Sequence, residues 1–198
     1  MNIPELLKKS EKTLFTFELI PPLKGGDFNS VHNAIEPLID FAPSFINVTY
    51  HREEIIYKKR EKGLLEKKIV RKRPGTVGIS AAIKFKYGIE VVPHIICGGF
   101  NREETENALI DLHFLGIHNV LALRGDTPKN EKYFVAEADG HQCASGVVQQ
   151  IMDMNKGIYL DDELEHAFPT NFSIGVAACP ERHIECPNFE TDLHHLKQ

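Results

Sequence analysis

The fold is decided by residues 90–126, which read EVVPHIICGGFNREETENALIDLHFLGIHNVLALRGD. Residues 90–97 are mostly apolar and predict a strand, because buried parallel strands are nearly continuous apolar runs. Residues 102–115 have the length and spacing of a helix, and residues 119–124 form a second apolar run. Strand, helix and strand in this order predict a βαβ unit, in which the two strands lie parallel.

The same alternation continues on both sides of this stretch. Strands are predicted at 13–20, 44–50 and 171–179, and helices at 27–41, 53–73, 142–155 and 190–198. Gly75 and Gly78 are assigned to a loop. The pattern indicates an α/β fold with a parallel sheet and about five βα units.

Five units leave two architectures open. An open doubly wound sheet would be complete at this length, whereas a (β/α)8 TIM barrel needs eight units and usually about 250 residues. The chain stops inside a predicted helix without a capping glycine or proline, and we take this to favour an incomplete barrel. No linker rich in proline or serine interrupts residues 1–198, so a single domain is expected.

The composition narrows the classes of function. The chain has 198 residues and a formal net charge of −5, which gives no indication of nucleic-acid or membrane binding. Residues 1–12 are polar and charged, so no export signal is expected. The four cysteines form no C-x-x-C pair, which is typical of a reducing cytoplasm. Two His-x-x-Cys pairs, at 94–97 and 183–186, could in principle hold zinc. Residues 94 and 97 would face opposite sides of a strand, however, and no metal is expected.

Residues 52–73 are strongly basic, with ten Lys or Arg against four Glu. We interpret this segment as the solvated face of an outer helix. A basic surface for an anionic ligand or a partner subunit is the alternative.

Polar side chains follow the carboxyl end of every predicted strand. They are Glu18 on the first, Thr49, Tyr50, His51 and Arg52 on the second, His94 on the third, Arg124, Gly125 and Asp126 on the fourth, and Cys179, Glu181, Arg182 and His183 on the fifth. Ligand sites lie at this end of parallel α/β sheets, both in barrels and in open sheets. We therefore predict one common cavity surrounded by five of these side chains: Glu18, Thr49, His94, Asp126 and His183.

Four of these positions indicate specific chemistry. Glu18 lies in an apolar run, where burial would raise the pKa of a carboxyl group towards that of a general acid; an outward-facing glutamate is the alternative. Arg124 could hold an anion and Asp126 could accept hydrogen bonds from a ring or sugar, unless this is only a surface salt bridge on a turn. His94 is either a ligand contact or a core histidine. The sequence has no G-x-G-x-x-G fingerprint and no P-loop.

Six short motifs occur in a familiar order. They are FELIPP at 17–22, NVTY at 47–50, PHIIC at 93–97, LALRGD at 121–126, VAACPERH at 176–183 and DLHHLK at 192–197. From about Lys12 to its end, the chain resembles the methylenetetrahydrofolate reductase family. The resemblance implies the N-terminal part of a (β/α)8 barrel that holds FAD at the carboxyl ends of its strands. It also implies NAD(P)H and 5,10-methylenetetrahydrofolate as substrates, in cytoplasmic one-carbon and methionine metabolism. We expect a homo-oligomer.

The resemblance also assigns roles to residues. Glu18 matches the general acid that protonates the bridging amine of the folate. Asp126 matches a carboxylate that lies near the flavin pyrimidine edge and helps to hold the pterin. The flavin-contacting positions correspond to Thr49, Tyr50, Arg52, His94, Arg124, Gly125, Asp126, Cys143, Ala144, Cys179, His183, Asp192 and His195. Cys143 and Cys179 stand where relatives often carry tyrosine, which should weaken cofactor binding.

The resemblance does not extend to the whole family barrel. Strands six to eight of the family, with their folate-binding glutamines and arginine, have no counterpart in the chain, so we expect little reductase activity from it alone. Two other hypotheses remain open. One is a flavin-binding or regulatory fragment without turnover. The other is an unrelated α/β protein with a self-sufficient sheet of order 2-1-3-4-5.

Overall fold

The computed structural model describes residues 2–128, 131–183 and 185–197. Its strands are β1 (Thr16–Leu19), β2 (Phe45–Val48), β3 (Glu54–Lys59), β4 (Leu65–Val70), β5 (Glu90–Ile96), β6 (Asn119–Leu123) and β7 (Ser173–Val176). Its α-helices are α1 (Ile3–Lys9), α2 (Phe28–Ile35), α3 (Thr76–Tyr87), α4 (Arg102–Phe114), α5 (Ala144–Met154) and α6 (Phe189–Leu196). A 3₁₀ segment, Glu36–Phe41, prolongs α2. The prediction of an α/β fold is confirmed.

Five strands form one parallel sheet in the order β1-β2-β5-β6-β7. Within this sheet, each strand lies beside the sheet strand that precedes it along the chain. Strands β3 and β4 are outside the sheet and pair only with each other. A sheet of order 2-1-3-4-5 would place the first strand inside the sheet, and that alternative is wrong. Because the five strands are parallel and sequential, their carboxyl ends follow one another along a single edge of the sheet.

The core lies between this sheet and its helices. Strand β5, at the centre, is buried at every residue from Val91 to Ile96. The helices contribute apolar side chains to the same cluster: Val31 and Ile35 from α2, Ile79 and Ile83 from α3, Leu109 and Leu112 from α4, and Val147, Ile151 and Met154 from α5. These side chains recur three or four residues apart, which is the spacing of one helix face.

The predicted helix at 53–73 is wrong. This segment is an antiparallel hairpin of β3 and β4, held across its strands by ion pairs of Arg60 with Glu66 at 2.6 Å and of Lys72 with Glu54 at 2.5 Å. Lys62 and Gly63 adopt left-handed conformations, with φ of 61° and 74°, and turn the chain between the strands. The many charges did not distinguish the two structures, because an exposed hairpin solvates them as well as an exposed helix does.

Two helices were missed by the sequence analysis. Gly75 and Gly78 were assigned to a loop, but α3 starts immediately after Gly75 and contains Gly78. Burial of Ile79 and Ile83 against the sheet stabilises α3 despite the internal glycine, which costs about 1 kcal/mol relative to alanine. Helix α1 was not predicted, and it has no buried residue.

All four cysteines are free thiols. Within the described ranges, none of the helices has both the length and the apolar character needed to cross a bilayer.

Candidate functional site

The carboxyl ends of all five parallel strands open into one cavity of about 520 Å³. Its lining consists of Glu18, Ile20, Thr49, Tyr50, His51, Arg52, His94, Ile96, Leu123, Arg124, Gly125, Asp126, Ala177, Cys179 and His183. The prediction that Glu18, Thr49, His94, Asp126 and His183 converge is therefore confirmed. The sequential order of the strands brings these positions together across more than 160 residues of chain.

Glu18 and His94 face each other across the cavity, with Glu18 Oε2 at 3.9 Å from His94 Nε2. His94 is buried, and burial lowers the pKa of its imidazole; the Glu18 charge opposes this effect and His51 adds to it. His94 Nε2 has no hydrogen-bond partner among the described residues. Buried polar atoms are normally satisfied, so this nitrogen is available to a ligand in the cavity.

Of the two alternatives for Glu18, the structure shows the outward-facing one, since 58% of its side chain is exposed. Strand β1 lies at the edge of the sheet, where Phe17 and Leu19 point towards the helical side and are half-buried. Glu18 lies on the other face, and no described element covers it. The desolvation on which the general-acid argument rested is therefore missing from this structure.

Thr49 connects the first two strands at the cavity. Its backbone N–H and its hydroxyl both donate to the carbonyl of Leu19, at 3.1 and 3.3 Å. The same hydroxyl lies 3.1 Å from His51 Nε2. Partial burial is the main cause that lowers the pKa of His51, and the positive charge of Arg73 lowers it further. His51 was not among the predicted site residues, although its place after the second strand is the same signal that identified Thr49.

Arg52 lies against a pair of glycines. A Cβ on Gly98 would be 3.2 Å from Arg52 Nη1, and one on Gly99 would be 3.0 Å from Arg52 Cβ. Gly98-Gly99 therefore makes room for the guanidinium group. Arg52 Nη2 lies 4.0 Å from Glu131, and Nη1 is buried without a hydrogen-bond partner in the described part of the chain. The adjacent Tyr50 ring packs 4.7 Å from the ring of Phe100.

The Arg124-Gly125-Asp126 turn, which follows β6, forms another wall of the cavity. Arg124 Nη1 pairs with Glu185 at 2.5 Å, which raises the pKa of Arg124, and the guanidinium lies 5.4 Å from the ring centre of Phe134. Gly125 has a φ of 83°, and a Cβ there would be 3.0 Å from Ile96 Cδ1. Glycine is therefore required for the turn to pack on β5. Because Glu185 occupies part of the Arg124 fork, the anion contact expected of Arg124 is only partly free.

Four of the predicted flavin-contacting residues do not line the cavity: Cys143, Ala144, Asp192 and His195. Cys143 is the exposed residue that precedes α5. Asp192 Oδ2 accepts a hydrogen bond of 2.7 Å from the backbone N–H of His183. His195 Nδ1 lies 4.0 Å from Cys186 Sγ. These two side chains therefore contact the loop that carries His183.

A second cavity, of about 510 Å³, adjoins the first beneath the hairpin. His51, Arg52 and Asp126 line both cavities, and Glu54, Tyr57 and Lys72 bring the base of the hairpin to the second one. The site therefore has room for a ligand longer than one ring system.

Comparison with known proteins identifies relatives of the chain. The family model described as methylenetetrahydrofolate reductase matches residues 3–198. The chain is 28% identical over 187 residues to the 5,10-methylenetetrahydrofolate reductase of Salmonella typhimurium, covering 92% of the chain and 49% of the relative. It is 26% identical over 196 residues to a probable methylenetetrahydrofolate reductase (NADH) of Oryza sativa subsp. japonica, covering 94% of the chain and 28% of the relative. The chain thus spans about half the length of the bacterial relative and less than a third of the plant one.

Proposed function

The chain belongs to the methylenetetrahydrofolate reductase family, and on this premise we propose that it serves the FAD-dependent reduction of 5,10-methylenetetrahydrofolate to 5-methyltetrahydrofolate by NAD(P)H. The observation that carries the proposal is the cavity in which Glu18, His94 and Asp126 meet. The names of the relatives support the same reaction, and the rice relative is named for NADH. We further propose that the reaction serves one-carbon metabolism in the cytoplasm.

We propose that residues 1–198 form one domain, five βα units of a (β/α)8 barrel. The sequential parallel order of the strands supports this, because barrel strands follow one another around the axis. The edge strands support it as well. Glu18 on β1 and Val176 on β7 are both about half exposed, at 58% and 48%, on strands that further barrel strands would cover.

The residues of the cavity fit a flavin. Its volume lies within the range of cofactor sites, and its walls combine apolar side chains with a few polar groups. His94 Nε2 and Arg52 Nη1 are buried nitrogens to which a ligand could supply the missing hydrogen bond. Thr49, Tyr50, Arg124, Gly125, Cys179 and His183 would complete the contacts. We further propose contacts from Cys143 and Ala144, where α5 begins, and a role for Asp192 in holding the backbone of His183. FAD, when bound, supplies the hydride chemistry of the reaction.

Glu18 is proposed to supply the proton. Its carboxyl group would protonate the bridging amine of the folate as the ring C–N bond breaks, leaving Glu18 ionised and the folate as an iminium ion. Burial lowers the pKa of His94 and keeps its imidazole neutral. His94 would therefore place no positive charge beside the carboxyl group of Glu18. Asp126 would accept hydrogen bonds from the pterin and add negative charge beside the flavin ring. Closure of the barrel would cover Glu18 and exclude water from its carboxyl group.

A titration of the purified chain with FAD, followed by flavin absorbance, tests the cofactor. We expect saturable binding that is weakened by His94→Ala and Asp126→Asn. Asp162→Asn, in an exposed loop outside the cavity, should leave it unchanged. If wild type fails to bind FAD, or if all three variants bind as wild type does, the assignment is wrong.

Turnover is tested by coupling NADH oxidation to menadione, with the chain alone and with a version extended by the strands that the family carries beyond it. We expect the extended version to be much faster, and equal rates would contradict the proposal of an incomplete barrel. In the extended version, Glu18→Gln should lower folate reduction by about 100-fold or more and leave menadione reduction intact.

A flavin-binding or regulatory fragment without turnover is the second candidate. Cys143 and Cys179 favour it, because both thiols are exposed where relatives often place an aromatic ring. Bleaching of the bound flavin by NADH separates the two functions, since only an active enzyme accepts the hydride.

The hairpin supports the proposal of a homo-oligomer. Tyr57, Leu64, Leu65 and Ile69 are large apolar side chains exposed on it, beside its many basic groups. Exposed apolar surface of this kind marks protein contacts. Light scattering during size-exclusion chromatography should give more than one copy, and the double variant Leu65→Ser/Ile69→Ser should shift the mass towards one copy. A monomeric wild type would contradict this proposal.

A further inference from the structure

We propose that a pocket outside the strand-end cavity binds a small amphipathic anion, which has an oxyanion head and an apolar body. The pocket has a volume of about 350 Å³ and is lined by the loop after β1, the segment that precedes α3, and side chains of α2 and α3. We call it the arginine pocket, after Arg71 and Arg73 in its lining. No described residue lines both this pocket and the strand-end cavity, so the inference does not rest on the proposed reductase function.

The lining of the arginine pocket carries an excess of positive charge. Lys24, Arg71 and Arg73 contribute three cations, and Asp27 is the one carboxylate among the described lining residues. Asp27 already accepts a hydrogen bond of 2.7 Å from Asn29. In the part of the chain that the structure describes, none of the three cations forms an ion pair with a carboxylate. Their charges are therefore free to attract an anion into the pocket.

The fold holds both arginines in place. The Arg73 guanidinium donates a hydrogen bond to the carbonyl of Pro21, at the end of the first strand. The Arg71 guanidinium lies 5.9 Å from the ring centre of Tyr50, and a Cβ on Gly75 would be 2.5 Å from Arg71 Nη2. Glycine therefore leaves the space that this guanidinium occupies. Each guanidinium has five N–H donors, so these contacts leave donors for a forked bond to an oxyanion.

Backbone hydrogen bonds join two of the walls before any ligand is present. The N–H of Lys24, in the loop after β1, donates to the carbonyl of Lys72 at 2.6 Å. Within that loop, the N–H of Gly26 donates to the carbonyl of Leu23 at 3.0 Å. Because the walls are already connected, binding requires little further ordering of the loop, and ordering is one of the main costs of binding.

The floor of the arginine pocket is apolar. Val31 of α2 and Ile79 of α3 are only 1% and 9% exposed, and Phe28 of α2 is half-buried. Pro22 and Pro74 add further apolar surface. The volume is in the range of small-molecule sites and suits a body of about one aromatic ring. A bare inorganic anion would leave this apolar surface uncovered, so the lining favours an anion with an apolar body.

An anion in this pocket would also act on the strand-end cavity. Arg71 contacts Tyr50, which lines that cavity, and the charge of Arg73 acts on His51 in the same wall. A bound anion draws the two guanidinium groups towards itself and offsets their charge. The environments of Tyr50 and His51 should therefore change when the arginine pocket is filled.

The test is a titration of the ¹⁵N-labelled, FAD-free chain followed by ¹H–¹⁵N NMR. The probes are 3-phenylpropionate and phenyl phosphate, with the neutral 3-phenylpropionamide and inorganic phosphate as controls. We expect saturable shifts of the amides of Lys24, Gly26, Gly75 and Tyr50 with both anionic probes, and the tighter probe identifies the preferred head group. Each control should bind at least tenfold more weakly than the probe it matches, because it lacks either the charge or the apolar body.

Two substitutions of opposite sign sharpen the test. Arg71→Gln removes a charged donor and should weaken binding of 3-phenylpropionate about tenfold or more. Asp27→Asn removes the repelling carboxylate and should strengthen binding about two- to fivefold. Lys67→Gln, at an exposed position on β4 outside the pocket, should leave the affinity unchanged.

Folding of each variant is checked by far-UV circular dichroism. If Arg71→Gln does not fold, the comparison of Asp27→Asn with Lys67→Gln decides alone, because both change exposed side chains. The site is overturned by equal affinity for 3-phenylpropionate and its amide, by equal affinity in all folded variants, or by shifts confined to the strand-end cavity. The FAD titration is carried out without these probes, so a failure of either proposal leaves the other measurement intact.

Discussion

Strands β5 and β1 face the same cavity from very different surroundings. β5 lies at the centre of the sheet with both faces covered, and its His94 is buried with a lowered pKa. β1 lies at the edge, and its Glu18 is 58% exposed. The same kind of apolar run encodes both strands, so the run predicts a strand but not its degree of burial. Burial is decided by what lies on the second face.

Truncation of a side chain at the centre and at the edge should give the largest contrast. Ile95 on β5 is 1% exposed and Val176 on β7 is 48% exposed. Ile95→Ala leaves a cavity in the core and should lower the free energy of unfolding by about 2–5 kcal/mol. Val176→Ala should lower it by about 0.5 kcal/mol or less. Urea denaturation of the two variants measures both values, and similar losses would show that the edge is covered in solution.

The next largest difference is expected between the alkylation rates of the two thiols that follow β5 and β7. Burial raises the pKa of Cys97 to about 11, whereas Cys179 is exposed. At about pH 8 the thiolate fraction of Cys97 is then roughly 100-fold below that of an ordinary cysteine. We expect iodoacetamide to alkylate Cys179 rapidly and Cys97 at least about 100-fold more slowly, as measured by peptide mass spectrometry. Denatured chain should label both alike. Comparable rates in the native chain would contradict the buried centre.

Alanine substitutions at two glycines should distinguish a turn that packs on the sheet from a turn with open space around it, by the stability that each substitution costs. Gly125 and Gly116 both have positive φ, of 83° and 66°. A Cβ at Gly125 would press on Ile96 of β5, while a Cβ at Gly116 has no neighbour within 4 Å. Gly116→Ala should therefore cost about 1 kcal/mol from the backbone alone, and Gly125→Ala about 2 kcal/mol. Thermal or urea unfolding compares them, and equal costs would mean that the Gly125 turn does not pack on β5.

The smallest expected effect is a pH dependence of the folding stability, and it arises from His94 on the central strand β5. Burial holds the folded-state pKa of His94 below its unfolded value of about 6.5. The charge of Glu18 opposes this lowering, and the charge of His51 adds to it. As the pH falls, the unfolded chain binds the proton first. The stability contribution of neutral His94 is therefore complete above about pH 6.5 and is lost as the pH falls below it.

His94→Gln should accordingly flatten the decline of unfolding free energy between about pH 7.5 and about pH 5.5. His166→Gln, in an exposed loop, serves as the control and should keep the wild-type slope. Identical slopes in wild type and His94→Gln would show that this histidine does not titrate differently in the folded chain.

Much of the site could be predicted because parallel strands align their carboxyl ends. Thr49, His94 and His183 were found by their position after apolar runs, without knowledge of their neighbours. The same rule also pointed to His51. It could not find the ion pair of Arg124 with Glu185 or the contact of Arg52 with Gly98-Gly99, because those depend on how loops from different strands pack.

The hairpin and α6 show where local patterns fail. A run of charged residues around a few β-branched ones fits both an exposed helix and an exposed hairpin. The structure shows the hairpin, which turns at Lys62-Gly63. Asp192 and His195 belong to a motif that predicted flavin contacts, but the chain folds them towards Cys186 and His183. Spacing within one element predicts which residues share a face, and it does not predict what that face meets.

By itself, the sequence determined the α/β class, the parallel strands and the set of polar groups at their carboxyl ends, because these follow from periodicity and from the geometry of βαβ units. The tertiary structure alone decided which of those groups are buried, which are paired and which leave the cavity. Burial and pairing depend on contacts between residues far apart in the chain, such as Glu18 with His94, and no local pattern contains that information.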